Sequence, residues 1–201
     1  MVLNLNYDKI KELTYQATQT TFLKVKEEKS QEVLYVFSLD IGQYRRILPC
    51  YNTEEALIRS ARKYILNEEN YPMDNDSIGE VSRWIRWNPG DWEYLGFSAD
   101  SDAFNEVNQI LKDVPEKLME LEDMEFTFTC QILEDILLVV LSELDSEGLF
   151  GKGSIRNSIV LMLAELDTDV DKQLETLKRL NPPEVYERVR EDLAWRDRGC
   201  L

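Results

Sequence analysis

The side chains able to do chemistry in this chain are carboxylates, guanidinium groups, four tryptophans and three thiols, because histidine is absent. That absence removes the commonest general base and metal ligand, and every Ser-His-Asp or Cys-His arrangement goes with it. Cys50, Cys130 and Cys200 are too widely separated for the C-x-x-C spacing of a thiolate metal site or redox pair. Neighbouring carboxylates such as Glu134 and Asp135 diverge by about a hundred degrees on a helix, so they do not face each other as an acid and base must. No catalytic constellation assembles, and the sequence predicts neither a cofactor nor a metal centre.

Three segments imitate binding motifs. Asp167-Thr168-Asp169-Val170-Asp171 begins like a calcium loop, but Lys172 stands where Gly is required and Lys178 where the bidentate Glu should be, so it reads as helix capping. Asp74 and Asp76 sit in a Pro-containing stretch with no further ligands. Gly148 to Ser154 looks superficially like a phosphate loop. Ser146 occupies its first Gly position, Gly153 follows Lys152, and the segment leaves a helix, which predicts a tight helix-to-strand connection instead. Lys152 and Arg156 remain as candidate anion contacts. Trp84, Trp87, Trp92 and Tyr94, with Arg83 and Arg86 among them, can stack on bases or cations, or build the core and cover a sheet edge. The first alternative makes Arg83, Arg86, Trp87, Trp92, Lys152 and Arg156 the contacts of an anionic ligand beside the Trp84/Trp87/Trp92 cluster.

The elements that must position these residues follow from periodicity. Tyr7, Ile10, Leu13 and Ala17 recur at helical spacing and predict a helix over 7–29. Val33 to Leu39 is dense in β-branched and aromatic residues, Asp40 to Gln43 is turn-like, and Tyr44 to Tyr51 returns as the second strand of a hairpin, with Pro49 suited to an edge or strand end. Thr53 is an N-cap for a helix carrying Glu54 and Glu55 in its first turn. Residues 67–77 read as an exposed loop. A short helix closes near Trp87, turns through Asn88-Pro89-Gly90 and enters a strand around Trp92 to Phe97. Phe104, Val107, Ile110 and Leu111 predict a third long helix after the caps Asp100 and Ser101, and Pro115 begins a short one. The widest apolar stripe, from Ile132 to Leu144, belongs to a helix over 130–146 stopped by Gly148. Ser158 to Leu166 reads as a buried strand, Val170 to Asn181 as a helix, and Pro182-Pro183 restarts a final helix. With no repeat or linker, the expectation is one α+β domain over residues 1–201, a mainly antiparallel sheet covered by several amphipathic helices.

The 201 residues carry 23 Lys+Arg against 39 Asp+Glu, a formal net charge of −16. The excess is lopsided, since residues 100–150 hold 14 acids and only Lys112 and Lys117. Such a charge repels phosphate backbones and anionic lipid, which excludes direct nucleic-acid and membrane-surface binding and favours a basic protein as partner. The odd number of separated cysteines, the lack of an apolar leader in the first residues and the shortness of every apolar run predict a cytoplasmic chain.

Val33 to Leu39, Tyr51-Asn52-Thr53-Glu54-Glu55, Arg86-Trp87-Asn88-Pro89-Gly90-Asp91-Trp92-Glu93-Tyr94, Leu144 to Gly151 and Leu180-Asn181-Pro182-Pro183-Glu184-Val185-Tyr186, in that order, resemble the bacterial domain-of-unknown-function 4303 family across nearly the whole chain. The resemblance implies an α+β domain and a bacterial cytoplasmic origin, and supplies no reaction or catalytic residues. Two functions stay in view. The first is a non-enzymatic, immunity-like protein that presents Asp100, Asp102, Glu106, Asp113, Glu116, Glu120, Glu122, Asp123 and Glu125 to a basic toxin or nuclease. The second is a small-ligand or anion-binding pocket, or an enzymatic one, beside the tryptophans.

Overall fold

A computed structural model describes residues 5–41, 46–67, 74–96, 101–112, 114, 123–164 and 170–197. Helix α1 (Tyr7–Glu28) leads into a hairpin of β1 (Leu34–Ile41) and β2 (Ile47–Thr53), followed by α2 (Glu54–Leu66) and α3 (Asn75–Ile85). A 3-10 turn (Pro89–Asp91) precedes β3 (Tyr94–Leu95), and a second (Ser101–Phe104) runs into the short α4 (Asn105–Ile110). The long α5 (Asp123–Ser146), the single-turn α6 (Ser154–Ser158), β4 (Val160–Leu163), α7 (Val170–Leu180) and α8 (Pro183–Asp197) follow among the described residues.

The sheet order is β3-β2-β1-β4, antiparallel except where β1 lies parallel to β4. Helices cover both faces, which is why β1 and β4 read as continuous apolar runs instead of alternating. One face buries Phe37, Leu39 and Leu161 against α1 and α5, where Phe22 sits edge-on to Phe37 and Phe150 at 5.3 and 4.7 Å. The other buries Val36, Cys50, Val160 and Met162 against α2, α3, α7 and α8. The α+β single sheet of the sequence expectation is therefore present, and its mostly antiparallel character with it.

Several local signals act as anticipated. The Thr53 hydroxyl accepts from the Ala56 amide at 3.1 Å and starts α2. Gly148, at φ +86°, ends α5: its amide donates to the Asp145 carbonyl and the Leu149 amide to the Leu144 carbonyl, so two of the helix's orphan acceptors are satisfied.

Other elements depart from the pattern. The loop expected over 67–77 already contains the start of α3, because the Asp74 carboxylate caps the Ser77 amide at 2.8 Å. The third long helix is instead the Ser101–Phe104 turn plus α4; past it the Val114 amide bonds the Leu111 carbonyl, a tighter winding ahead of Pro115. The strand expected from Trp92 to Phe97 narrows to Tyr94–Leu95, since Trp92 closes the 3-10 turn and Gly96 has φ +58°. Pro49 lies within β2, an inner strand of the sheet. It shares parity with Ile47, whose amide and carbonyl face the Asn108 side chain, so its missing N–H falls on the open side of β2 beyond β3. The connection from α5 to β4 is not bare but holds α6. The calcium-loop mimic over 167–169 and the short helix expected at Pro115 lie outside the described residues. Among those described, no helix is long and apolar enough to cross a membrane.

Candidate functional site

One irregularity in β1 shapes the site. Leu34 pairs with Thr53 and Val36 with Asn52, so Tyr35 is an extra residue in the ladder, a bulge that turns Tyr35 and Val36 toward the same apolar cluster. The Tyr35 ring then lies beneath the guanidinium of Arg86, 4.7 Å from its centre, and edge-on to Trp87 at 5.6 Å. Its hydroxyl donates to the Arg86 carbonyl at 3.0 Å and accepts from the Asn52 amide group at 3.1 Å, while the Trp92 indole N–H donates to that same carbonyl at 2.9 Å. Burial pushes the Tyr35 phenol well above its ordinary range despite the Asn52 bond and nearby Arg86 charge, so the hydroxyl stays a neutral strut.

Because Thr53 caps α2, Glu54 stands in the first turn and meets Arg86 at the end of α3. The two form a parallel pair of bonds, Nη1 to Oε1 and Nη2 to Oε2, each 2.7 Å. Burial alone lowers the Arg86 basicity, but the Glu54 carboxylate more than offsets it and the guanidinium is held charged. One turn earlier, Arg83 donates through Nε to Asp192 of α8 at 2.9 Å and lies 4.6 Å over the Trp195 ring. The other Asp192 oxygen accepts the Trp87 indole N–H at 3.1 Å. Asp192 thereby ties α8 to the end of α3.

Between α2, α3 and α8 these contacts leave a cleft of about 810 Å³. Among the described residues, Arg62, Arg83, Arg86 and Arg188 line it against two carboxylates, Glu54 and Asp192, with Val33, Leu57, Ile58 and Ile78 as apolar wall. Arg86 is spent on Glu54 and Arg83 on Asp192 only through Nε, so the outer nitrogens of Arg83 keep donors free of any bond among the described residues. Arg62 makes no ion pair among them, and Arg188 gives one bond, to the Asn157 carbonyl at 3.1 Å. Ser82 also lines the cleft, and its buried hydroxyl has no hydrogen-bond partner among the described residues. A local charge of four cations against two anions thus stands within a chain of net −16.

Of the residues expected to contact an anion, Arg83, Arg86 and Trp87 meet at this cleft. Trp92 belongs to a second cavity of about 540 Å³ with Arg59, Lys63, Asp91 and Glu93. Trp84 stacks edge-on against Tyr64 at 5.5 Å. Lys152 is exposed in the loop before α6 and does not line the cleft. Arg156 is corrected more sharply: it is 6% exposed and donates to the Asp145 carboxylate, the Ile159 and Leu180 carbonyls and the Asn181 side chain, which makes it a staple of the fold with no place for an anion. Arg62, Arg188, Ser82, Glu54 and Asp192 escaped the sequence reading. Recognition of Asp74 as a helix cap would have extended α3 backward and exposed part of this face.

The acidic stretch is also more engaged than its charge count implies. Along α5, Glu134 pairs with Lys172 at 3.0 Å, Asp135 with Arg179 at 3.7 Å, Glu143 with Lys11 at 2.6 Å and Asp145 with Arg156, while Glu147 accepts from the Tyr15 hydroxyl. These carboxylates link α5 to its neighbours while Asp135, Glu143 and Glu147 stay largely open to solvent. Asp102 and Glu106 are exposed. Asp123 and Glu125 open α5, and Asp100, Asp113, Glu116, Glu120 and Glu122 lie outside the described residues. No cluster of three metal-ligating side chains occurs among the described residues.

No curated protein and no solved structure matches the chain. Residues 14–182 match the family described as Domain of unknown function (DUF4303), in agreement with the Trp-Asn-Pro-Gly-Asp-Trp, Glu-Gly-Leu-Phe-Gly and Leu-Asn-Pro-Pro blocks, and the chain belongs to that family.

Proposed function

We propose that this chain binds a small anionic ligand in the cleft between α2, α3 and α8. The observation that carries the reading is the convergence of four guanidinium groups on one concave site against two carboxylates, in a molecule whose net charge is −16. Planar guanidinium forks match carboxylate and phosphate oxygens, and a low-dielectric cleft concentrates their field. Arg86, locked by Glu54 and Tyr35, frames the site. Arg62 and Arg83 supply donors to the ligand, and the cleft volume is that of an ordinary small-molecule pocket. Because the surrounding surface repels anions, binding should weaken as salt rises only as far as the cleft's own charges are screened. Titration calorimetry with phosphate- and carboxylate-bearing probes tests this: saturable binding, weakened at least tenfold in Arg62→Ala and in Arg83→Ala, is expected. Absence of saturable binding up to about millimolar ligand overturns it.

A second reading, docking of a basic protein such as a nuclease toxin in the manner of an immunity protein, draws on a separate observation. Asp102 and Glu106 are exposed at the start of a stretch with 14 acids and two bases. Charge reversal at both, Asp102→Lys with Glu106→Lys, should abolish low-salt capture of a basic partner, and unchanged capture refutes this reading.

A further inference from the structure

Gly79 is the residue of the cleft that the fold itself does not explain. It lies inside α3, where glycine lowers helix stability relative to alanine, and it lines the cleft. Its backbone is not in the left-handed region, and a Cβ built on it meets no atom of the described residues within 4 Å. Neither backbone geometry nor protein packing therefore calls for glycine, whereas a body lying across α3 inside the cleft does. Asn75 and Arg83 stand one turn to either side of Gly79 on α3, and Ile78, Ile58 and Val33 add aliphatic surface to the same lining, the last two 40% and 56% exposed. Aromatic faces are closed to a ligand. Tyr35 and Trp87 are 3% and 4% exposed, with Arg86 on the Tyr35 ring and the two rings edge to face. A nucleobase finds no open platform there, while an alkyl chain finds apolar surface that is otherwise left in water.

We infer that the cleft takes an amphiphilic anion, an aliphatic chain lying across Gly79 with its oxyanion head on the free donors of Arg62 and Arg83. This rests on the anion-binding reading of the same site and adds the chemistry of the ligand's body.

The test compares octyl phosphate, octanoate, inorganic phosphate and ADP by titration calorimetry on the wild-type chain and on Gly79→Leu, with a thermal melt of each. Octyl phosphate or octanoate should bind at least tenfold more tightly than inorganic phosphate, the return expected from burying about two methylenes. Gly79→Leu should melt no lower than wild type and bind the alkyl ligand at least tenfold more weakly. Equal affinity for inorganic and octyl phosphate, tighter binding of ADP than of either alkyl ligand, or a Gly79→Leu variant that binds normally overturns the inference and leaves the anion site standing. Failure of all four probes overturns both.

Discussion

Replacing Arg156 by Met removes the donor that four acceptors share. The guanidinium is 6% exposed and joins Asp145 at the end of α5 to the Ile159 carbonyl before β4 and the Leu180 carbonyl at the end of α7. Its loss leaves a carboxylate whose side chain is 25% exposed without its cation, and two carbonyls without their donor. A broken buried ion pair costs about 3–5 kcal/mol and each buried orphan about 1–3 kcal/mol. Asp145 is partly open to water and recovers some hydration, so about 3–4 kcal/mol is expected, equivalent to a melting-point fall of about 6–16 °C for a chain of this size. Arg156→Lys keeps the charge beside Asp145 but cannot fork to both carbonyls, and about 2 kcal/mol is expected. Urea unfolding followed by tryptophan fluorescence measures both. A double variant, Arg156→Met with Asp145→Leu, should recover part of the loss, because removing both partners costs less than orphaning one. A loss below about 1 kcal/mol for Arg156→Met refutes the staple and returns Arg156 to the candidates for ligand contact.

Thr53→Ala removes both the cap of α2 and the bond from Thr53 to Glu32, so about 1–2 kcal/mol of stability should be lost by chemical denaturation. Gly79→Ala should raise stability by about 0.5–1 kcal/mol, since alanine restores helix propensity without meeting a neighbour; a loss of stability contradicts the open space found there. With no histidine, stability should be level between pH 6 and 8. Below that the Glu32 carboxyl matters: burial raises its proton affinity, but bonds from Thr53 and Arg59 and the charges of Arg59 and Lys29 win, and its folded-state pKa is lowered. Its contribution is therefore present above the ordinary glutamate range and lost as pH falls through the lowered value. Glu32→Gln should shrink the acid limb of a pH–stability profile, and an unaltered limb argues against this network.

How legible each part was depends on how local its cause is. Thr53, Gly148 and Pro183 act within one turn of the backbone, and the helices they bound could be read directly. The start of α3 could not, because Asn75 to Gly79 is polar and glycine-bearing and its helical state follows from the Asp74 cap. Arg83, Arg86 and Trp87 were visible as a cluster since they share one helix end. Arg62 and Arg188 come from distant parts of the sequence, and only the sheet brings α2 and α8 to the same rim. Arg156 illustrates the converse: a cation beside a glycine-rich loop suggests an anion site, yet its partners Asp145 and Leu180 are supplied by two other helices. On α5 the charge count could not show the partners either: Lys11, Lys172 and Arg179, from α1 and α7, pair with three of its carboxylates.

The most direct test of the anion cleft is a titration of the ¹⁵N-labelled chain with octyl phosphate, then with ADP, followed at the indole signals of Trp84, Trp87, Trp92 and Trp195. The Trp87 indole bonds Asp192 and the Trp195 ring carries Arg83, so a head group on Arg83 must reach both. Saturable shifts at Trp87 and Trp195, weakened at least tenfold when Arg62→Ala and Arg83→Ala are combined, are predicted. No saturable shift with either ligand up to about millimolar concentration, or equal affinity in the double variant, contradicts the assignment of this cleft as the binding site.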